Sequence, residues 1–269
     1  MRILFIGGGN MATALIGGLS AQASSAPTIS VVEPLAEQRQ ALSSRFGVRC
    51  FEAPDAQALD ADVIVLAVKP QQMREAAQAC ARWMSAQLVI SVAAGIRTRD
   101  LARWLGDHQR IVRAMPNTPA LIGLGITGLC AASGASTDDR ATADAILRAV
   151  GATVWVDDEQ LIDAVTAVSG SGPAYVFRFI EAIEHAGIAL GLTPADARKL
   201  TIATFRGAAE LAERSEDPPS TLRERVTSRG GTTAAALAVM NEGGLGDLID
   251  RAVDAACKRG AEMGEEFGR

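Results

Sequence analysis

Histidine is nearly absent. The 269 residues include two, His108 and His185, and neither stands in a nucleophile–histidine–carboxylate arrangement or at a metal-ligand spacing such as H-x-x-x-H. No bound metal is expected, and proton donors are sought among hydroxyls, carboxylates and water. The four cysteines, Cys50, Cys80, Cys130 and Cys257, form no C-x-x-C pair. That pattern suits reduced, buried thiols in a cytoplasmic protein rather than a disulfide framework. No apolar run is long enough to span a bilayer, so no membrane partner is expected. The apolar start, residues 1–6, runs directly into glycines, as a first strand does and a signal peptide does not. The 26 basic residues are outnumbered by 31 acidic ones, which removes the electrostatic argument for nucleic acid binding.

What the chain does have is alternation. Short apolar runs at 2–6, 28–33, 48–51, 62–68, 87–92 and 111–115 read as strands. Helical patterns lie between them, for example over 10–21, 35–46 and 71–84. Two further strands are expected near 125–131 and 153–156, with a helix over 138–150. Near-continuous apolar strands separated by helices imply a parallel sheet covered on both faces. Beyond residue 158 the strand signal stops. Helices are expected over 161–190, 194–213, 221–226, 232–241 and 245–267, with Thr193 capping the second of these and Pro194 at its first position. The fold class is therefore an α/β Rossmann-type parallel-sheet domain over 1–157, followed by an all-α domain over 158–269. Its small, apolar helices suit an intersubunit surface.

Gly7, Gly8, Gly9, Asn10, Met11 and Ala12 match G-x-G-x-x-A, placed after a strand and at the opening of a helix, the context a dinucleotide fingerprint requires. Gly7 makes the turn, Gly9 lets a pyrophosphate approach, and the helix N-terminus supplies N–H donors. Glu33 ends the second strand, where an acid bonds ribose hydroxyls and favours NADH; capping of the following helix is the plainer role for it. Val68, Lys69 and Pro70, then Ala93 and Ala94, then Asn117 follow the ends of successive strands, where such folds bind ligands. Lys69 can equally be a solvated surface lysine. NADPH or NADH is the expected cofactor.

Two knots of glycine and hydroxyl residues interrupt the helical half, at 168–175 and 226–233. Glycine costs about 1 kcal/mol against alanine in a helix interior, so both are candidate pockets for a small anion. For the first knot, a packing kink is an equal alternative. For Thr232 and Thr233 the alternative is an ordinary cap pair.

Taken in order, residues 6–12, 67–70, 91–95, 115–119, 163–175 and 226–233 resemble the pyrroline-5-carboxylate reductases. The likeness covers essentially the whole chain, and its last two segments are the most specific. It implies hydride transfer from NADPH or NADH to C5 of 1-pyrroline-5-carboxylate, the step that completes proline biosynthesis. It implies an all-α dimerisation domain, with the homodimer assembling further into a decamer and with cradle and cofactor site drawn from different subunits. By motif, Ser228, Gly231 and Thr232 resemble the substrate carboxylate cradle, Thr233 the catalytic hydroxyl at the ring nitrogen, and Glu159 a position near the substrate. Three positions depart from the usual pattern. Arg229 replaces a proline, Glu33 a small hydroxyl residue suited to NADPH, and Pro54 a polar residue on the adenine side. The competing readings are a β-hydroxyacid or ketopantoate-type reductase and a non-catalytic dinucleotide sensor. The former would need a lysine acid, yet Lys199 and Lys258 lie outside both knots.

Overall fold

The structure, a computed structural model, describes residues 1–21 and 26–268. Its strands are β1 (Arg2–Ile6), β2 (Thr28–Val32), β3 (Arg49–Phe51), β4 (Val63–Leu66), β5 (Leu88–Ser91), β6 (Ile111–Met115), β7 (Gly125–Ala131) and β8 (Gly151–Trp155). They form one sheet in the order β3-β2-β1-β4-β5-β6-β7-β8. Around it lie α1 (Asn10–Ser20), α2 (Ala36–Phe46), α3 (Met73–Ala81), α4 (Thr98–Trp104), α5 (Thr137–Leu147) and the short α6 (Leu161–Val165).

Alternate residues of the same strand enter two different cores. Ile3 and Phe5 join Val63, Val65 and Ile90 under α1 and α5. Leu4 and Ile6 join Ile64, Leu66 and Val89 under α3 and α4. This is the two-sided burial that makes a parallel strand read as an unbroken apolar run. Each such side chain, fully removed from water, stabilises the fold by about 1.5–3 kcal/mol. Cys80 belongs to the second core, and burial there pushes its thiol up to about 12. Cys50 and Cys257 are only half-buried, and all four thiols are free.

The sheet corrects one expectation. Every pairing is parallel except β6–β7, which is antiparallel, with Arg113 opposite Cys130. The link between them is a 3₁₀ turn at Thr118–Ile122, too short for the crossover helix that a parallel neighbour requires.

The described residues divide into two compact units, one of Met1–Ser171 with the chain from Ala255 on, the other of Gly172–Asp254. The sequence places its boundary at 157, where strand patterning ends. Residues up to Ser171 nevertheless stay with the sheet. Val165 of α6 fills the space over Gly128 of β7, and ion pairs described below tie the start of α6 to β6. The end of α11 (Leu245–Phe267) also belongs here, with Met263 set against Gly95.

The second unit holds α7 (Gly172–Ala189), α8 (Pro194–Arg214), α9 (Pro219–Arg225), α10 (Thr232–Glu242) and the first part of α11. Thr193 caps α8 by accepting the Asp196 N–H at 3.2 Å, as expected. Few of its side chains are buried, and Phe177, Leu200, Val226 and Val239 are exposed. Among the described residues no helix is long and apolar enough to cross a membrane.

Candidate active site

In the first unit, the carboxyl ends of β1, β4 and β5 meet at one edge of the sheet. Gly7 turns there with φ +96°, and a side-chain Cβ on it would lie 2.9 Å from the Ala67 carbonyl oxygen. Only glycine fits both the backbone angle and the close approach. Its N–H donates to the Val32 carbonyl at 2.8 Å, while Ala67 donates to Ile6. The turn is thus stitched to strands on both sides.

Gly9 is different. It is the N-cap of α1, with no side-chain hydrogen bond at the cap, and a Cβ there would meet nothing within 4 Å. The open space lies over the uncapped N–H groups of α1, which is where a pyrophosphate fits. Asn10 is exposed and Met11 half-buried at the same helix start. The residues present therefore suit a dinucleotide.

Glu33 is buried, and its two oxygens have separate partners. Oε2 accepts the Gly8 N–H at 2.9 Å and Oε1 accepts the Leu35 N–H at 2.9 Å. The carboxylate caps the entry to α2 and at the same time braces the glycine turn. Lys69 is exposed beside half-buried Val68 and Pro70, and Ala93 is buried next to half-buried Ala94. Asn117 uses its amide internally: Oδ1 accepts from the Ile126 N–H at 3.0 Å and Nδ2 donates to the Ser169 carbonyl at 3.2 Å.

The first glycine–hydroxyl knot is a π-helical turn, Thr166–Gly170, between α6 and α7. The Ser171 N–H reaches back to the Thr166 carbonyl at 2.8 Å. Ser169 donates its hydroxyl to the Val165 carbonyl at 2.9 Å, and a Cβ on Gly170 would strike Met115 Cε at 2.6 Å. Its polar groups serve packing against the end of β6. π-Turns of this kind recur at functional sites, and here the turn seats the loop that carries Asn117.

The second knot is built otherwise. Gly230 turns with φ +72°, and Gly231 is the N-cap of α10, with no side-chain hydrogen bond. The Gly231 N–H is already taken by the Ser228 carbonyl at 3.0 Å, and the first bond of the α10 ladder runs from Ala235 to Gly231. The N–H groups of Thr232 and Thr233 precede that ladder and are free of intrahelical acceptors. A Cβ on Gly231 would lie 2.5 Å from Ser228 Oγ, so the missing side chain leaves room for that hydroxyl beside the helix start. Ser228, Thr232 and Thr233 are thereby gathered at one amide-rich point, with Thr233 half-buried. Such a turn suits a small carboxylate.

Glu159 belongs to the first unit. It accepts the Thr98 N–H at 2.7 Å and the Thr98 hydroxyl at 2.8 Å. Its Oε1 also lies 3.2 Å from Nη1 of Arg113, whose side chain is 1% exposed. Arg97 pairs with Asp163 at 2.6 Å, and Arg113 Nη2 lies 3.5 Å from the other Asp163 oxygen. Two guanidiniums and two carboxylates thus balance one another inside the fold. Burial lowers the Arg113 pKa from its ordinary value, opposed in part by the neighbouring Glu159 charge. Sequence reading overlooked Arg113. The available signal was a charged residue in the middle of an apolar strand, which demands a partner.

The comparisons with known proteins agree across the whole chain. The family profile described as pyrroline-5-carboxylate reductase dimerisation matches residues 159–263. One described as NADP oxidoreductase coenzyme F420-dependent matches residues 2–95. The pyrroline-5-carboxylate reductase of Pseudomonas aeruginosa is 47% identical over 269 residues, covering 100% of this chain and 98% of the relative. That of Synechocystis is 43% identical, covering 99% of both. Among solved structures, a pyrroline-5-carboxylate reductase from Coxiella burnetii superposes with TM-score 0.91 at 42% identity, over 97% of both chains. The Plasmodium falciparum pyrroline carboxylate reductase with NADP bound superposes with TM-score 0.87 at 28% identity, over 98% of both.

Proposed function

The chain belongs to the pyrroline-5-carboxylate reductase family, and on that premise we propose that it reduces 1-pyrroline-5-carboxylate to L-proline with NADPH or NADH. The observation that carries this reading is the start of α10, where a glycine N-cap without side-chain bonds stands beside the Ser228 hydroxyl. It is a receptor for a small carboxylate, and the substrate's carboxylate is its strongest handle.

NADPH or NADH, when bound, would supply the hydride. Gly7, Gly8, Gly9, Asn10 and Met11 would hold its pyrophosphate at the start of α1, and Glu33 would take the adenosine ribose. Val68, Lys69, Pro70, Ala93 and Ala94 would border it beyond the strand ends, and Asn117 positions the neighbouring loop. Ser228 and the N–H groups of Thr232 and Thr233 grip the substrate carboxylate, while Gly231 contributes by having no side chain. Thr233 donates a hydrogen bond to the ring nitrogen and relays its proton. With the imine protonated at nitrogen, C5 is the electrophilic carbon, and a hydride delivered there would leave a secondary amine. A protonated imine is already electrophilic, so orientation and exclusion of water carry most of the acceleration. No histidine acid is required.

The protein acts as an oligomer. We take the homodimer to be the working unit, supported by the exposed apolar side chains of the second unit and the dimerisation profile. Five such dimers form a decamer in this reading. The setting is the cytoplasm, where four thiols without a C-x-x-C pair stay reduced. The test is cofactor oxidation in the presence of the cyclic imine, run beside 2-oxoacids and 3-hydroxyacids. Turnover of the imine with proline as product is expected. Turnover of an oxo- or hydroxyacid alone would remove this assignment.

A further inference from the structure

We infer that this enzyme takes NADH in preference to NADPH, and that Glu33 makes the choice because the cofactor turn itself locks its carboxylate in place. The inference rests on the dinucleotide reading of that turn.

Glu33 directly follows β2, whose last residue Val32 pairs in register with Ile6 at the end of β1. In this fold class the adenosine ribose lies beside that strand end. A carboxylate there can accept ribose hydroxyls, and it repels the 2′-phosphate that distinguishes NADPH. A flexible surface glutamate could swing aside and admit the phosphate. This one is 8% exposed, and two backbone donors hold it. Gly8 of the glycine turn donates to Oε2 at 2.9 Å, and Leu35 at the entry to α2 donates to Oε1 at 2.9 Å. Rotation would strand both N–H groups at once. Each oxygen keeps a lone pair for a ribose hydroxyl, so the anchoring does not prevent recognition.

The neighbouring cation does not offset this. Arg39 donates from Nη1 to the carbonyls of Glu33 at 2.8 Å and Pro34 at 2.7 Å. Its Nη2 lies 3.5 Å from the Glu52 carboxylate. A phosphate-binding arginine needs its planar fork free, and this fork is engaged on three sides. Gln38, the next polar side chain, donates to the Gly8 carbonyl at 2.6 Å. The residues around the ribose position thus present one fixed negative charge and a cation turned to other partners.

The test is titration of the full-length protein with NADH and with NADPH, without the imine, followed by dinucleotide fluorescence. NADH should bind tighter by about tenfold or more. Glu33→Ser and Glu33→Gln should each shrink the ratio by about tenfold, chiefly through tighter NADPH binding. Arg39→Ala should leave the ratio within about threefold. Competition of adenosine 2′-phosphate and adenosine 5′-phosphate against NADH needs no substitution and should favour the 5′ isomer. Equal or tighter NADPH binding by the wild type overturns the inference. So does an unchanged ratio in a folded Glu33 variant, or a selective loss of NADPH affinity in Arg39→Ala. Binding of neither dinucleotide would overturn the cofactor reading beneath it. Tighter NADH binding without imine turnover would overturn the reaction and leave the preference standing.

Discussion

Glu159 directs both carboxylate oxygens at Thr98, accepting its N–H at 2.7 Å and its hydroxyl at 2.8 Å. A residue aligned by motif with a substrate position is therefore also the tie between the start of α4 and the entry to α6. Glu159→Gln should lower the urea midpoint of unfolding by an amount equivalent to about 1–3 kcal/mol and leave KM for the imine nearly unchanged. A raised KM at unchanged stability would return Glu159 to direct substrate contact.

Arg113 is the other half of this arrangement. Its replacement by methionine fills similar volume but leaves Glu159 without its counter-charge, while Asp163 keeps Arg97. Breaking such a cluster from one side costs about 3–5 kcal/mol. Chemical denaturation should show that loss, and combining Arg113→Met with Glu159→Gln should restore part of it. A single variant as stable as the parent would mean that the charges are not balancing one another.

Gly9 and Gly7 should respond oppositely to alanine. Gly9 has φ −68° and ψ −172°, an extended conformation any residue adopts, and a Cβ there has open space. Gly9→Ala should keep full stability while raising the dinucleotide Kd by about tenfold or more, because the new methyl group would enter the open space where we propose the pyrophosphate binds. Gly7→Ala forces a left-handed angle against the Ala67 carbonyl and should destabilise the fold itself. Unaltered dinucleotide binding in Gly9→Ala would move the cofactor away from α1.

At the second knot, Gly231→Ala sets a methyl group against Ser228 Oγ and should raise KM for the imine with a smaller change in kcat. Thr233→Ala removes the proposed proton relay. It should lower kcat by about ten- to a thousandfold, the range of a general acid–base group, and Thr233→Ser should recover much of it. Wild-type kcat in Thr233→Ala would make Thr233 an ordinary helix-start residue.

Acid stability has a local origin at Asp139. Arg110, bonded at 2.6 Å, and the Ser136 cap hold this carboxyl at about 2, below its ordinary 3.8. A depressed folded-state pKa contributes stability that is complete above the unfolded value and is lost as pH falls through the folded one. Stability should therefore drop between pH 4 and pH 2, and Asp139→Asn should flatten that part of the curve. An identical acid profile in the variant would assign the loss to other carboxyls.

Much of the fold was legible because both faces of the sheet are covered. Strand runs such as 2–6, 111–115 and 125–131 end where their apolar patterns end. Direction was less legible, since the apolar pattern of β7 is the same whichever way the strand runs. Only the shortness of the turn after Asn117 separated the two. Within the site, glycines were readable as permission for close approach, but not in their separate roles. Gly7 is demanded by the chain's own backbone and Gly170 by Met115, whereas a Cβ on Gly9 would meet nothing within 4 Å. The charge cluster around Arg113 was hidden because its members are scattered over residues 97, 113, 159 and 163, and only the folded sheet and α6 bring them together.

The most direct measurement follows the transferred hydrogen. The protein is incubated with 1-pyrroline-5-carboxylate and reduced nicotinamide cofactor carrying deuterium at both C4 positions, and the amino acid product is examined by mass spectrometry and NMR. Proline carrying one deuterium at C5 is the predicted result. Proline without label, or oxidised cofactor with no proline formed, would contradict hydride delivery to the ring carbon.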